Sequence, residues 1–273
     1  LNPKPPPPYR MTIKEKQPMD DITLIVQNNP KSPISETYRA IRTNIQFAGA
    51  GKQLKYIAFT SSVPGEGKST TISNLALTMA QDGKKVLLID NDLRKPRQHK
   101  VFGLLNKGLT NIIAMGLTFD EVVNKDVFPN LDVLTSGPIP PNPSEILGSE
   151  KMSDILKEVG EKYDYVLLDL PPILAVTDAA IVGHMADGII LVVRSGLTAP
   201  EEAKEAKKRL EAGHANILGV VLNGVPTEKK GYGYGYYYYD YYDENNEKHH
   251  EKRKRTHSRK ADTLISKVTS LFG

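Results

Sequence analysis

Apolar residues in the middle of this chain fall into short unbroken runs, separated by stretches in which apolar and polar residues alternate with helical spacing. Unbroken runs bounded by turn signals are typical of strands that are buried on both faces of a parallel sheet. We predict six such strands, over residues 55–60, 85–89, 131–134, 163–169, 188–193 and 216–223. A seventh segment, 21–26, fits either a short strand or an extended arm.

The stretches between the strands predict helices over residues 35–47, 72–82, 119–123, 150–162, 179–184 and 199–211. Residues suited to cap helices precede them: Ser35, Thr118, either Ser144 or Ser149, Asp178 and Thr198. The first helix is expected to turn Ile34, Ile41 and Ile45 inward. Strands that alternate with helices predict an α/β fold with a doubly wound, mainly parallel sheet and helices on both faces.

The ends of the chain differ from the middle in composition. The first ten residues read LNPKPPPPYR, and consecutive prolines fix φ and remove N–H donors, so residues 1–30 are predicted to be an extended arm. A folded domain over 31–226, a flexible tail over 227–260 and a short amphipathic helix over 261–273 complete the predicted organisation. A length of 273 residues suits one large α/β domain with tails.

Composition excludes some kinds of chemistry. The chain has no cysteine, so it has no disulfide, no thiolate metal site and no cysteine nucleophile. Its longest apolar runs fall well short of the roughly 18 residues that indicate a membrane span. The formal net charge of +4 is modest, and no nucleic-acid partner is predicted from it.

The segment SSVPGEGKST, residues 61–70, joins the first strand to the next helix. Its glycines allow the backbone to curl so that successive N–H groups point at phosphate oxygens, and the helix dipole adds positive potential. Lys68 can reach the β- and γ-phosphates, and the Ser69 hydroxyl can bind Mg²⁺. We therefore predict a nucleotide site that includes Pro64, Gly65, Glu66, Gly67, Lys68, Ser69 and Thr70.

Acidic residues follow two of the predicted strands. Asp90 and Asp92 lie two apart after the second strand, so both can point the same way, and Arg94 comes next. Asp169 ends a later strand and is suited to hold Mg²⁺, usually through water. The carboxyl edge of a parallel sheet is where ligands bind. Asn223, at the end of the last strand, has an amide that could bond to a base edge.

Two further sets of polar residues have more than one interpretation. Glu36, Arg39 and Arg42 recur every three residues along one stripe of a helix, which is either a solvated face with one internal ion pair or a subunit contact. Asp178 is equally suited to be a helix cap and a further site residue. His184 is predicted to be an ordinary surface or boundary histidine.

The tail contains a dense tyrosine cluster: Tyr232, Tyr234, Tyr236, Tyr237, Tyr238, Tyr239, Tyr241 and Tyr242. It has no apolar periodicity and much glycine, which predicts flexible chain that is either a sticky low-complexity tail or a set of phosphoacceptors. A basic run at 252–255 and an amphipathic stretch near the end follow. They fit contact with an anionic membrane surface, or a spacer with a helix that docks on protein.

These motifs together resemble the bacterial tyrosine kinases of capsule and exopolysaccharide synthesis, in the split Gram-positive form whose kinase is a separate cytoplasmic chain. The phosphate loop, the acidic motif LIDNDLR around Asp90, the strand ending at Asp169 before two prolines, and the tyrosine cluster carry the resemblance. It covers about residues 32–242 and implies a P-loop NTPase-like kinase domain. One departure is Leu170, where the family often has a small hydroxyl residue.

The resemblance implies how the site works. ATP and Mg²⁺ occupy the phosphate loop, with Ser69, Asp90 and Asp169 around the metal. Lys68, Asp90, Asp92 and Arg94 form the catalytic set, and we favour Asp92 as the base that takes the tyrosine proton. The eight clustered tyrosines are the expected phosphoacceptors.

The resemblance also implies partners. Glu36, Arg39 and Arg42 would form the contacts of a ring of identical subunits, each tail entering its neighbour's site. The cytoplasmic tail of a membrane activator, protein tyrosine substrates and a phosphotyrosine phosphatase are the other expected partners. The chain would then be cytoplasmic and peripheral at the inner face of the cell membrane.

Two rival functions fit parts of the sequence. Switch ATPases that position septa or chromosomes carry an early lysine in the phosphate loop, where this chain has Val63, and the usual first glycine is Ser62 here. Such an ATPase leaves the paired acids and the tyrosine cluster unexplained. The other rival is a regulator that binds nucleotide and acts through its tail.

Overall fold

The computed structural model describes residues 24–49, 51 and 54–226. They contain a seven-stranded sheet in the order β3-β4-β2-β5-β1-β6-β7. Every neighbouring pair is parallel except β3 and β4, so the predicted mainly parallel sheet is confirmed. The strands are β1 (Tyr56–Ser61), β2 (Val86–Asp90), β3 (Asn124–Phe128), β4 (Leu131–Leu134), β5 (Tyr165–Asp169), β6 (Gly188–Arg194) and β7 (Ile217–Asn223).

Helices cover both faces of this sheet. The described helices are α1 (Ile25–Asn28), α2 (Pro33–Ala48), α3 (Lys68–Gln81), α4 (Gln98–Val101), α5 (Leu109–Met115), α6 (Pro143–Leu147), α7 (Glu150–Lys162), α8 (Asp178–Met185) and α9 (Pro200–Ala212). The predicted helix at 119–123 is a single 3₁₀ turn, Phe119–Glu121, which Thr118 and Glu121 close with reciprocal hydrogen bonds. Ser149 caps α7 as one of the two alternatives predicted.

Alternation along the strands divides the core into two layers. Phe59 and Leu88 face α1, α2 and α3, whereas Ala58 and Ile89 face the layer formed by α5 to α9. All four side chains are fully buried. Because both faces are covered, these strands need apolar residues at successive positions, which is why the sequence shows runs instead of alternation.

Strand register places the ends of three strands side by side. Phe59 of β1 and Asp90 of β2 both lie opposite Asp169 of β5. The loops that follow β1, β2 and β5 therefore leave the sheet at the same edge. This edge contains the candidate site.

Several local predictions are wrong. Residues 25–28 form a short helix instead of a strand or an arm, and residues 21–23 lie outside the described part of the chain. Helix α2 is capped by Ser32, whose hydroxyl accepts from the N–H of Ser35 at 3.1 Å. The helix starts at Pro33, and Ile34 is 53% exposed and so does not face the core.

Two further differences have clear causes. Helix α9 begins after Ala199, whose N–H bonds to Glu202, because the hydroxyl of Thr198 is engaged elsewhere. Strand β3 was not predicted, since its sequence NKDVF has no apolar run. It forms because it pairs antiparallel with β4 at the sheet edge, where one face remains in water.

Candidate nucleotide and phosphoryl-transfer site

The phosphate loop runs from the end of β1 to the start of α3, as predicted. Gly65 and Gly67 have φ of +87° and +88°, which glycine adopts without strain. A Cβ on Gly67 would lie 2.0 Å from Nδ2 of Asn223, so a side chain at this position would require Asn223 to shift. Within the described residues, the backbone N–H groups of residues 65–70 have no hydrogen-bond acceptor, while the N–H of Thr71 already bonds to Gly67. This row of free donors suits an anionic phosphate chain.

Glu66 holds the loop from the inside. It is 1% exposed, and its carboxylate accepts from the N–H of Val63 at 2.9 Å and from the hydroxyl of Thr198. Burial raises the pKa of Glu66, and the Thr198 and Val63 hydrogen bonds oppose that rise. Its carboxylate is therefore engaged within the protein, and contact of Glu66 with nucleotide stays a prediction.

Asn223 closes the other side of the loop. Its Nδ2 donates to the carbonyl of Glu66 at 2.9 Å, and its Oδ1 accepts from the N–H of Gly224 at 2.8 Å. The amide thus supports the loop in this structure. Contact of Asn223 with a base edge stays a prediction.

Three ionisable groups meet behind the loop. Asp90 and Asp169 are fully buried, and Lys68 is 6% exposed. The ammonium of Lys68 forms an ion pair with Oδ1 of Asp169 and lies 3.2 Å from the hydroxyl of Ser69. Burial, followed by the nearby charge of Asp169, raises the pKa of Asp90 to about 7. The cluster therefore contains two buried aspartates and one lysine.

Gln98 completes this cluster, although it was not singled out from the sequence. It is fully buried, and its Nε2 donates to Oδ2 of Asp169 at 2.6 Å. Its Oε1 accepts from the hydroxyl of Ser73 at 2.8 Å, and its backbone N–H donates to Asp90 at 2.9 Å. Gln98 therefore ties the acidic pair to α3. A glutamine in a short basic segment carries no signal in the sequence that could reveal this.

Asp92 and Arg94 lie nearer the opening of the site. Asp92 is 7% exposed, and its Oδ1 accepts from the N–H groups of Arg94 and Lys95 at 3.3 and 2.9 Å. The Arg94 guanidinium donates to both oxygens of Asp178, at 2.9 and 3.0 Å, and to the hydroxyl of Ser144 at 3.0 Å. Arg94 is thus held at a fixed place on the rim.

Asp178 belongs to the neighbourhood of the site and is not a helix cap. Thr177 occupies the cap position of α8, and Asp178 is its first residue. Burial would raise the pKa of Asp178, but the hydrogen bonds from Arg94 and Ser144 outweigh it and the pKa lies below its usual range. His184 is exposed, as predicted.

The stripe on α2 makes contacts within the chain. Glu36 and Arg39 form an ion pair, and Arg39 also donates to the carbonyl of Pro30 at 2.8 Å. Arg42 donates to the carbonyl of Thr78 at 3.1 Å and lies 3.3 Å from Asp82. Arg42 therefore packs α2 on α3. Its part in a subunit contact stays a prediction.

The donor set suits a hard divalent cation. The hydroxyl of Ser69 and the carboxylates of Asp90 and Asp169 are oxygen ligands of the kind that Mg²⁺ prefers. No group of three or more histidines, cysteines or acids in the described ranges forms a metal cage. A cation here would depend on phosphate and water for its remaining ligands, which is usual for Mg²⁺ at nucleotide sites.

Some predictions concern residues outside the described ranges: the arm before residue 24, the tyrosine cluster, the basic run and the terminal amphipathic stretch. Of the helices described, none is long and apolar enough to cross a membrane.

This loop and fold define a nucleotide-binding P-loop protein. A family model described as an AAA domain matches residues 54–211. Solved septum-site-determining MinD from Pyrococcus horikoshii, bound to Mg-ADP, is 24% identical with a TM-score of 0.51, which shows the fold alone.

Closer relatives narrow the class to one family. The chain is 50% identical over 213 residues to tyrosine-protein kinase YwqD of Bacillus subtilis, which covers 77% of this chain and 90% of YwqD. It is 42% identical over 214 residues to putative tyrosine-protein kinase CapB of Staphylococcus aureus, covering 78% and 94%. The chimerical protein CapA2B2 is 43% identical with a TM-score of 0.72, over 74% of this chain and 90% of that one.

The chain therefore belongs to the bacterial tyrosine kinase family, in the split form that YwqD and CapB represent. Members in which the kinase is one part of a longer protein match as well. The kinase domain of Escherichia coli ETK has a TM-score of 0.72 at 36% identity, over 82% of this chain and 89% of that domain. The resemblance inferred from the motifs is confirmed.

Proposed function

We propose that this chain transfers the γ-phosphoryl group of ATP to tyrosine hydroxyls, and that its first acceptors are the clustered tyrosines of a neighbouring subunit. The observation that carries the proposal is the cluster of Lys68, Asp90 and Asp169 behind a loop of free N–H groups, in a chain of the tyrosine kinase family.

The phosphate loop and Lys68 would bind ATP, the phosphoryl donor. The free N–H groups of residues 65–70 would bind the phosphate oxygens of ATP. Lys68, which pairs with Asp169 here, has a flexible side chain that can turn to the β- and γ-phosphates. Its ion pair with Asp169 positions the lysine within a buried site before ATP arrives.

The acceptor side belongs to the acidic pair at the end of β2. A tyrosine hydroxyl has a pKa of about 10 and is a poor nucleophile at neutral pH, and a positioned carboxylate can help by roughly 10²–10⁴-fold. Asp92 lies nearer the opening than the fully buried Asp90, which supports Asp92 as the base. The tyrosine oxygen bonds to the γ-phosphorus, the bond to the bridging oxygen of ADP breaks, and the proton passes to Asp92.

Mg²⁺ would be held by Ser69, Asp90 and Asp169 and would neutralise charge on the phosphates. Arg94, fixed by Asp178 and Ser144, would add positive potential at the rim, where the acceptor enters.

We further propose that subunits assemble into a ring through Glu36, Arg39 and Arg42, under control of a membrane activator's cytoplasmic tail. Each phosphate adds about −1.5 to −2 charge, so a phosphorylated cluster would repel itself and open the ring. The resulting cycle, reset by a phosphotyrosine phosphatase, would regulate capsular or exopolysaccharide synthesis and export. An assembly state that responds to ATP equally in a variant with all eight cluster tyrosines changed to Phe would refute this part.

A switch ATPase is the alternative, and the shared fold supports it only at the level of architecture. The loop has Val63 in place of the early lysine that such ATPases use. Glu66 braces this loop internally through Val63 and Thr198.

Radiolabelled γ-phosphate separates the two functions. Label on tyrosine that is lost in Lys68→Met and kept in Lys204→Met, an exposed lysine on α9, supports the kinase. Release of free phosphate from an unlabelled chain supports the switch ATPase.

A further inference from the structure

The segment that follows the catalytic acids is strongly basic. Residues 94–100 read RKPRQHK, with four lysines and arginines and no acid. We call residues 94–100 the basic segment. Gln98 bonds to Asp169 and Arg94 bonds to Asp178, and the two lysines of the segment are Lys95 and Lys100.

Backbone hydrogen bonds hold the basic segment against the reacting carboxylates. The N–H of Lys95 donates to Asp92 at 2.9 Å, and the N–H of Arg97 donates to Asp90 at 2.9 Å. The side chains of Lys95 and Lys100 are exposed. In the described part of the chain neither ammonium forms an ion pair with a carboxylate. The basic segment, which is tied to the reacting carboxylates, therefore carries two positive charges that no described carboxylate pairs.

The tyrosine cluster has the opposite charge pattern. Residues 231–247 contain eight tyrosines, four acids and no lysine or arginine. Asp240 lies between Tyr239 and Tyr241, and Asp243 follows Tyr242, whereas Tyr232 and Tyr234 have only glycine neighbours. In an extended chain, an acid one to three residues away lies within about 11 Å of the tyrosine.

We propose that Lys95 and Lys100 form an acceptor subsite that selects tyrosines with acidic neighbours, and that selects them more strongly once an adjacent tyrosine is phosphorylated. This rests on the proposed kinase function and adds its substrate preference. A new phosphate brings about −1.5 to −2 charge, so each product makes the next tyrosine a better acceptor. Phosphorylation starts beside Asp240 and Asp243 and spreads toward Tyr232.

The test uses two full-length chains. The donor has the eight cluster tyrosines changed to Phe, so it cannot accept phosphate there, and the acceptor carries Lys68→Met, so it cannot phosphorylate itself. Mass spectrometry of the acceptor at early times is expected to find phosphate on Tyr239, Tyr241 or Tyr242 first. Early phosphate spread equally over the cluster, or found first on Tyr232, overturns the proposal.

Kinetics locate the effect in acceptor binding. The donor change Lys95→Gln with Lys100→Gln is expected to raise the acceptor KM about 2- to 25-fold with kcat nearly unchanged, because each of the two exposed charge pairs contributes a factor of about 1.5 to 5. The acceptor change Asp240→Asn, Asp243→Asn and Glu244→Gln should raise the KM similarly. Combining donor and acceptor changes should add little, since both remove the same interaction.

Controls separate this subsite from the rest of the site. Lys204→Gln with Lys208→Gln, exposed lysines on α9, should leave the acceptor KM unchanged. Added salt should shrink the difference between the donors, because it screens exposed charges. A raised KM for ATP with an unchanged acceptor KM overturns the proposal by assigning the lysines to the nucleotide. Absence of tyrosine phosphorylation from all donors contradicts the kinase function itself.

Discussion

Replacing Gln98 by Leu removes the only amide donor that the described residues direct at Asp169. The lost hydrogen bond, Nε2 to Oδ2 at 2.6 Å, joins a neutral donor to a buried carboxylate. Such bonds contribute about 1.5–3 kcal/mol, and leucine has a similar volume, so little cavity forms. The single hydroxyl proton of Ser73, no longer needed by Gln98, can be donated to the carbonyl of Ser69 at 2.7 Å, so Ser73 adds no penalty. We expect Gln98→Leu to lower the free energy of unfolding by about 1.5–3 kcal/mol.

Gln98→Glu keeps the shape of the side chain but replaces the amide donor with a carboxylate. It places a third carboxylate beside Asp90 and Asp169, with Lys68 as the one cation that pairs with the cluster in the described chain. A buried charge without a partner costs about 3–5 kcal/mol, so Glu should destabilise more than Leu. The pKa of this new carboxyl group should lie above its unfolded value of about 4.3 in the folded chain. The loss of unfolding free energy relative to wild type should therefore shrink as pH falls and vanish below that value.

Equilibrium urea denaturation of the full chain, without nucleotide or Mg²⁺, measures both variants across pH. Gln46→Glu is the matched control, because Gln46 is exposed and bonds to Asp82 at 3.4 Å. It should change stability by less than about 0.5 kcal/mol. A Gln98→Glu chain as stable as wild type, or more stable than Gln98→Leu at pH 7, would refute the inferred cluster.

The remaining predictions concern a carboxyl group and a turn. The pKa of Asp90 is about 7 in the folded chain, above its unfolded value, so the free energy of unfolding of wild type should fall as pH rises from about 4 to about 7. Asp90→Asn should lack that part of the pH dependence. An equal change of unfolding free energy with pH in the two chains would contradict this prediction. Gly67→Ala should lower the free energy of unfolding more than Gly83→Ala does. Both glycines have positive φ, but only a Cβ at position 67 would meet Asn223. Gly83→Ala should lower the free energy of unfolding by about 1–2 kcal/mol, measured by thermal or urea denaturation. Equal losses in the two variants would show that the clash with Asn223 relaxes freely.

The sequence predicted the parts of this protein that depend on neighbouring residues. Unbroken apolar runs indicated the six core strands, because a strand covered on both faces requires apolar residues in succession. The phosphate loop was predictable because its glycines, Lys68 and Ser69 are consecutive. Asp90 and Asp169 could be assigned to one edge, since the ends of parallel strands align there.

Contacts between distant residues depended on the fold. Gln98 meets Asp169 across 71 positions, and Thr198 meets Glu66 across 132. Asp178 appeared equally suited to a cap until its contact with Arg94, 84 positions away, was known. Strand β3 has no apolar run and forms only because β4 offers it an edge.

There is a physical reason why some features could be predicted from the sequence and others depended on the tertiary structure. Local patterns record the burial and backbone freedom that each position needs, so by itself the sequence determined the strands, the phosphate loop and the class of chemistry. Which polar side chain bonds to which depends on how the strands are ordered and how their loops return to one edge. The tertiary structure alone decided that Lys68 pairs with Asp169, that Gln98 supports the acids, and that Lys95 and Lys100 are exposed.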